Sequence, residues 1–493
     1  MSTQYICAID QGTTGTTVII LDQDLNVCAR VNQEFAQIFP KPGWVEHDPE
    51  AIWKSTLDTI LAAQKQANID PSQIKAVGIT NQRETTVVWD RKTGAPVHNA
   101  IVWQDRRTRG QIQQLVDEGL EALVQSRTGL VLDPYFSGTK IAWILDHVPG
   151  ARQRAQRGEL AFGTIDSFLL WRLTGGEVHK SDISNASRTL LMDLHKGEWD
   201  EQLLSIFEVP EEVLPTICGN SEILGEVRDI PGLKDGTPIC GMAGDQQAAL
   251  FGQTCFNKGE AKCTFGTGAF LLMNAGYEVP TSDFRMLGTA AWKLDGKITY
   301  ALEGSAFIAG ALVQWLRDGL EFFSSAAEIE DLASQVESSD GVVLIPSLAG
   351  LGAPHWNADA RGIIWGLTRG TKRAHIARAA LEAIALQNVD ILKAMESDTG
   401  APLQVLKVDG GASANNLLMQ LQSDLLNRKI VRPHMTDTTA LGSALLAGLS
   451  AGIFEDLDAI KENWQADATF NPSMNEEQRQ QLLKGWKQGL ARV

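Results

Sequence analysis

Two stretches half a chain apart set glycine and threonine between β-type runs. Residues Ala8–Asp22 read AIDQGTTGTTVIILD, and residues Ala261–Asn274 read AKCTFGTGAFLLMN. In each, a strand turns through a Gly/Thr hairpin into a second strand. Glycines let the backbone come close to an anion, and successive N–H groups form a concave nest. Thr13, Thr14 and Thr267 add hydroxyl donors, so the chemistry these residues suit is phosphate binding. Asp10, at the end of the first strand, is a hard oxygen ligand that could hold Mg²⁺ through water. Neither stretch continues into Lys-Ser or Lys-Thr, which argues against a Walker-type loop. A dinucleotide fingerprint fails as well, because Gly12 and Gly266 open hairpins rather than strand-to-helix turns. One such stretch alone also reads as an ordinary hairpin turn. The pair, at this offset, is what two related domains facing each other across a cleft would produce.

A third stretch, LKVDGGASANNLLMQ from Leu406 to Gln420, takes a strand through Gly410-Gly411 into a helix opening near Asn415. The glycines leave room for a flat ring, and the helix N-terminus offers free amides. On its own it is also a plain strand–turn–helix joint.

Positioning these segments calls for alternating strands and helices, an α/β architecture. Tyr5–Ile9, Ile74–Thr80 and Val405–Val408 read as strands, and Ile376–Met395 and Asn415–Leu426 carry apolar residues at helical spacing. The sequence NEEQRQQLLKGWKQGL near the C-terminus reads as an amphipathic surface helix. At 493 residues the chain exceeds one hydrophobic core. We expect two domains, residues 1–250 and 251–493. The net charge of −17 argues against a nucleic-acid surface and against adhesion to anionic lipid. No export signal is visible at the N-terminus, and no run approaches the length of a membrane helix. The six cysteines form no C-x-x-C pair, and the eight histidines show no metal spacing. Reduced thiols and a cytoplasmic protein without membrane insertion are expected.

Together the three glycine-bearing elements resemble the actin-like (ribonuclease H-like) ATPase fold, in which two phosphate hairpins and an adenosine loop enclose ATP in a cleft between two lobes. Two longer patterns, YFSGTKIAWILDH (Tyr135–His147) and GIIWGLTRGTKRAHIARAALE (Gly362–Glu382), are similar to those of the FGGY carbohydrate kinases. NQRETT (Asn81–Thr86), AIVWQDRRT (Ala100–Thr108), SNASRTLLMDL (Ser184–Leu194) and GMAGDQQAALFGQ (Gly241–Gln253) resemble the glycerol-phosphorylating branch. A family member for another small polyol or ketose, such as erythritol, dihydroxyacetone or xylulose, is the alternative. A non-catalytic actin-like or chaperone-like ATP module is a further one, but it leaves Arg83, Glu84 and Asp245 without a shared purpose.

The resemblance implies a set of site residues. Arg83 and Glu84 follow a buried strand in a loop, where a guanidinium donates to hydroxyl oxygens and a carboxylate accepts their protons. Such a pair can separate a vicinal diol from a simple alcohol. Asp245 is the implied general base and, with Asp10, an implied Mg²⁺ ligand; by type alone it could also be an N-cap. Gln246 is implied to hold the diol, and Trp103, Tyr135 and Phe270 to wall it. Thr13, Thr14, Gly15, Thr17, Thr267, Gly310, Gln314, Gly411 and Asn415 are implied to bind ATP or ADP. A homodimer or homotetramer is also implied. Many relatives read Ser-Ser-Arg where this chain reads Gly15-Thr16-Thr17, so an arginine near the phosphates is missing or replaced. The stretch DIPGLKDGTPIC lacks the Gly-Arg loop that binds fructose 1,6-bisphosphate in some bacterial members. No histidine lies between His195 and His355 to serve as their phosphorylated switch. Catalysis with different or no allosteric control is therefore expected.

Overall fold

A computed structural model describes residues 3–357 and 359–493. Strands β1 (Tyr5–Gln11) and β2 (Gly15–Asp22) form the first hairpin, and β3 (Val27–Glu34) extends it as a meander. With β4 (Ile74–Asn81), β5 (Ser221–Glu226) and β6 (Pro238–Gly244) they build a six-stranded sheet of order β5-β6-β4-β1-β2-β3. The inner neighbours β6, β4 and β1 run parallel. Parallel strands buried on both faces read as near-continuous apolar runs, and Ile6–Ile9 of β1 are fully buried.

The second sheet repeats this unit. It contains β7 (Glu260–Phe265), β8 (Ala269–Gly276), β9 (Leu287–Leu294), β10 (Lys297–Ala306), β11 (Val405–Asp409), β12 (Ile430–Pro433) and β13 (Ala466–Phe470), in the order β9-β10-β8-β7-β11-β12-β13. In both sheets a hairpin carries an antiparallel strand on one side and a parallel strand on the other. The short sequence echo is thus a structural repeat.

Helix α1 (Pro49–Ala67) covers one face of the first sheet, packing Ile52 and Ile60 against Cys7 and Ile9. Helices α2 (Ser137–His147), α3 (Asp245–Gly252) and α4 (Gly310–Asp318) follow site loops. The expected helix over Ile376–Met395 runs longer, as α5 (Arg373–Thr399), and ends at Gly400 in the left-handed region. Helix α6 (Asn416–Leu426) starts where Asn415 caps it by accepting from Leu418 N at 2.8 Å. Helix α7 (Thr438–Ser450) comes from the second half of the chain yet lies on the first sheet, where Ala440, Ala444 and Leu445 share a core with Ile6, Ala8 and Ala76. Helix α8 (Glu476–Leu490) buries Leu483 and Trp486 and exposes its charged side.

The placement of the site follows from register. Gln11 pairs with Asn81 and Asn81 with Gly244, so the segments after all three strands leave the sheet at one edge. Thr264 pairs with Asp409, which brings the second hairpin beside the Gly410-Gly411 turn. Among the described residues no helix is long and apolar enough to cross a membrane, and all six cysteines are free.

Candidate active site

The first hairpin is braced from behind. Gly12 N donates to Gly15 O at 2.9 Å, and Gln82 reaches across to donate from Nε2 to Gly12 O at 3.2 Å. Gln82 Nε2 also faces His47 Nδ1 at 3.3 Å, while His47 Nε2 lies 2.7 Å from Gln37 Oε1. These partners fix a neutral ring with its proton on Nε2, and burial lowers the imidazole pKa to about 4. Thr13 Oγ1 accepts from Trp103 Nε1 at 3.0 Å, and Thr14 is exposed at the tip. Gly15 lies at the start of β2 against β3. Thr17 turns toward the edge strand and accepts from Asn32 Nδ2 at 2.9 Å. Arg30, whose charge acts on Asp10, pairs with Asp437 at 2.9 Å.

The second hairpin closes with Gly266 N donating to Gly268 O at 2.9 Å. Helix α4 is seated directly on its turn: Ala309 N and Ala311 N donate to Thr267 O at 2.9 and 3.0 Å, and Gly310 N donates to Gly266 O at 3.0 Å. A Cβ on Gly310 would stand 2.5 Å from that carbonyl. Gly310 is therefore small enough for α4 to meet the hairpin backbone. Thr267, Gly310, Gln314, Gly411 and Asn415 line one cavity of about 390 Å³. Arg317, Ile329 and Leu418 are among its other lining residues and were not singled out from the sequence. Asn415 serves twice, as cavity wall and as cap of α6.

Arg83 and Glu84 form a buried floor, each no more than 3% exposed. Glu84 sits in the left-handed region at φ 59°, uncommon for a residue with a Cβ. Ser137 Oγ and Thr86 Oγ1 donate to its carbonyl at 3.0 and 3.1 Å and hold it there. Gly244 gives Arg83 space, since a Cβ on it would meet Arg83 Cγ and Cδ at 2.8 Å. Asp245 opens α3 as its first helical residue, with Gly244 as the N-cap, so the capping role open to it from sequence is not the one it fills. Its carboxylate accepts from Gln246 N at 2.6 Å and lies 3.1 Å from Arg83 Nε. Trp103 and Tyr135 meet edge to face at 5.6 Å between centroids, and the Tyr135 hydroxyl is 3.5 Å from Arg83 Nη2. Phe270 is half-buried on β8 opposite Thr264 and Ser305, so it shares a sheet face with Lys262 and Glu303.

Three charged residues were missed from the sequence. Glu303, on β10, accepts from Arg83 Nη1 at 2.6 Å and Nη2 at 3.1 Å, and from Arg188 Nη2 at 3.0 Å. Arg188 also donates from Nε to Glu84 Oε1 at 2.6 Å. Lys262, on β7, donates from Nζ to Gln246 Oε1 and to Thr264 Oγ1. For Glu303 and Lys262 the only sequence signal was a charge flanked by small or apolar residues within a strand, because a buried charge needs a partner, whereas Arg188 lies in a turn and carried no such signal. Burial pushes the Glu303 carboxyl up, but Arg188 and Arg83 overcome this and bring it down to about 2. Burial raises Asp245, with Arg83 and Lys262 opposing.

Asp10 is raised to about 7 by burial, with Asp245 and Asp437 adding to the rise and Arg30 opposing it. Two carboxylates in mutual repulsion suit a hard dication that also takes phosphate oxygens and water. No group of three His, Cys, Asp or Glu side chains that could cage a metal occurs among the described residues.

Comparison with known proteins shows the family of the chain. Residues 5–252 match the model of the FGGY family of carbohydrate kinases, N-terminal domain, and residues 261–451 match its C-terminal domain. The glycerol kinase of Deinococcus radiodurans is 54% identical over 491 residues, covering 99% of this chain and 97% of its own. That of Carboxydothermus hydrogenoformans is 53% identical over 493 residues, covering 100% and 99%. The crystal structure of Plasmodium falciparum glycerol kinase with ADP superposes with a TM-score of 0.95 at 38% identity, covering 99% of this chain and 98% of that one. The gluconate kinase from Lactobacillus acidophilus superposes at 0.89 with 24% identity over 100% and 98%, a likeness of fold alone.

Proposed function

The chain belongs to the FGGY family of carbohydrate kinases, and from that premise we propose that it transfers the γ-phosphoryl group of ATP to glycerol, giving sn-glycerol 3-phosphate and ADP. The observation that carries the reading is the convergence of Arg83, Glu84, Tyr135 and Asp245 on one small polar floor beside the first hairpin. Relatives named for glycerol, at about half identity over the whole chain, support the choice of substrate.

In this reading residues 1–250 and 251–493 are the two lobes, except that α7 packs onto the first, and ATP spans them. Its adenosine takes the 390 Å³ cavity, and its phosphates meet the N–H groups at both hairpin turns. Glycerol lies against Trp103, Tyr135 and Phe270. Glu84 accepts from one hydroxyl, and Arg83 and the amide nitrogen of Gln246 donate to its oxygens. The orientation of that amide is set by Lys262, whose ammonium can meet only the oxygen.

The terminal hydroxyl oxygen attacks the γ-phosphorus in line as the bond to the β-phosphate oxygen breaks. Its proton passes to Asp245. The transition state is loose, so the proton moves late and positioning dominates over deprotonation. Mg²⁺, for which Asp10 and Asp245 fit as ligands directly or through water, supplies neutralisation of phosphate charge. Closure of the lobes excludes water as a competing acceptor.

An ADP-release assay with glycerol, erythritol, dihydroxyacetone and xylulose tests the reading. Glycerol is expected to have the highest kcat/KM by at least tenfold. Preference for any of the other three would assign the chain to a different member of the family.

A further inference from the structure

Arg83 has five N–H donors in a fixed fork, and protein groups stand against all of its nitrogens. Nη1 donates to Glu303 Oε2 at 2.6 Å and to Gln247 Oε1 at 3.2 Å; Nη2 donates to Glu303 Oε1 at 3.1 Å and to the Tyr135 hydroxyl at 3.5 Å. Nε lies 3.1 Å from Asp245. The strong, bidentate half of this set belongs to Glu303, a residue of the second sheet, whereas Arg83 follows a strand of the first. The long contact to Tyr135 and the one-sided contact to Asp245 are those a polyol hydroxyl can enter.

Arg188 balances the arrangement. It is fully buried, pairs with both Glu84 and Glu303, and keeps two carboxylates and two guanidinium groups in one neutral cluster. Lys262 repeats the logic beside it, reaching from the second sheet to fix Gln246 of the first half. Each of the two donors offered to the polyol is thus oriented by a charged residue from across the cleft.

We propose that Glu303 is a positioning residue for the polyol site: it clamps the Arg83 guanidinium from the opposite sheet, with Arg188 as counter-ion, so that the site is complete only when the two sheets are in register. This rests on the proposed polyol kinase activity. Glu303 touches neither substrate. Its effect on the reaction passes through Arg83, whose remaining N–H groups face Asp245 and Tyr135.

Steady-state kinetics and ADP binding in Glu303→Gln and Glu303→Asp test this. Glu303→Gln leaves the cluster with one excess positive charge and an amide that clashes with a guanidinium donor. Its KM for glycerol is expected to rise at least tenfold, while KM for ATP and ADP affinity stay within about threefold of the parent. Glu303→Asp keeps the charge and shortens the reach, so it should fold and show an intermediate rise in the glycerol KM alone. Adding Arg188→Gln to Glu303→Gln restores neutrality and should recover part of the lost glycerol affinity. A glycerol KM within twofold of the parent in both single variants, or equal losses on the nucleotide and polyol sides, would overturn the proposal. The parent enzyme separates this from failure of the functional reading. If the parent prefers another polyol, the same KM comparison is read on that polyol.

Discussion

Substituting Gly310 with alanine probes how the second hairpin is held. The added Cβ would stand 2.5 Å from Gly266 O, an oxygen of the backbone, so no side-chain rotation relieves it. Helix α4 and the hairpin must separate by about 0.9 Å to bring that 2.5 Å contact to an ordinary 3.4 Å. Three hydrogen bonds cross that seam, at 2.9, 3.0 and 3.0 Å from Ala309, Gly310 and Ala311. Each contributes about 1 kcal/mol net. Losing two of the three costs about 2 kcal/mol, which corresponds to about 30-fold in affinity if it falls on nucleotide binding. Gly310→Ala should therefore weaken ADP, measured by titration calorimetry, by about that factor, with the glycerol KM nearly unchanged. An ADP affinity within twofold of the parent would refute the claim that the hairpin is held by this backbone contact.

Trp103→Phe keeps the aromatic wall but removes the donor to Thr13 Oγ1. At about 1 kcal/mol for the bond, the KM for both glycerol and ATP should rise about fivefold; a change in only one would show that wall and hairpin are not linked through it. His47 is neutral in the fold down to about pH 4 and would protonate near pH 6.5 when unfolded. Its contribution to stability is therefore present above pH 6.5 and is lost as pH falls toward 4. It amounts to about 2 kcal/mol lost at pH 5. His47→Gln should show a smaller drop in thermal midpoint between pH 7 and pH 5 than the parent; equal drops would exclude His47 as a source of acid sensitivity.

How far the sequence revealed this site depended on whether its signal was local. The hairpins around Gly12 and Gly266 were legible because a turn between two apolar strands is encoded in a few adjacent residues. The turn at Gly410 and the helix cap at Asn415 were legible for the same reason. Arg83, Glu84 and Asp245 entered only through resemblance, since a charged pair in a loop reads as solvated surface. Glu303, Arg188 and Lys262 went unseen because their partners lie 220, 104 and 16 residues away. The close contact of Gly310 with a carbonyl 44 residues upstream has no local signal in the sequence. The seat of α7 on the first sheet is a long-range packing choice that no periodicity in Thr438–Ser450 discloses.

The central claim is that Asp245 receives the proton of a glycerol hydroxyl during phosphoryl transfer. Asp245→Asn keeps the side-chain shape and the start of α3 but removes the acceptor. Glycerol-dependent ADP formation in this variant, measured beside ADP affinity, should fall by a factor of at least 100 while nucleotide binding stays within a few-fold of the parent. Turnover of glycerol near the parent rate would contradict the account.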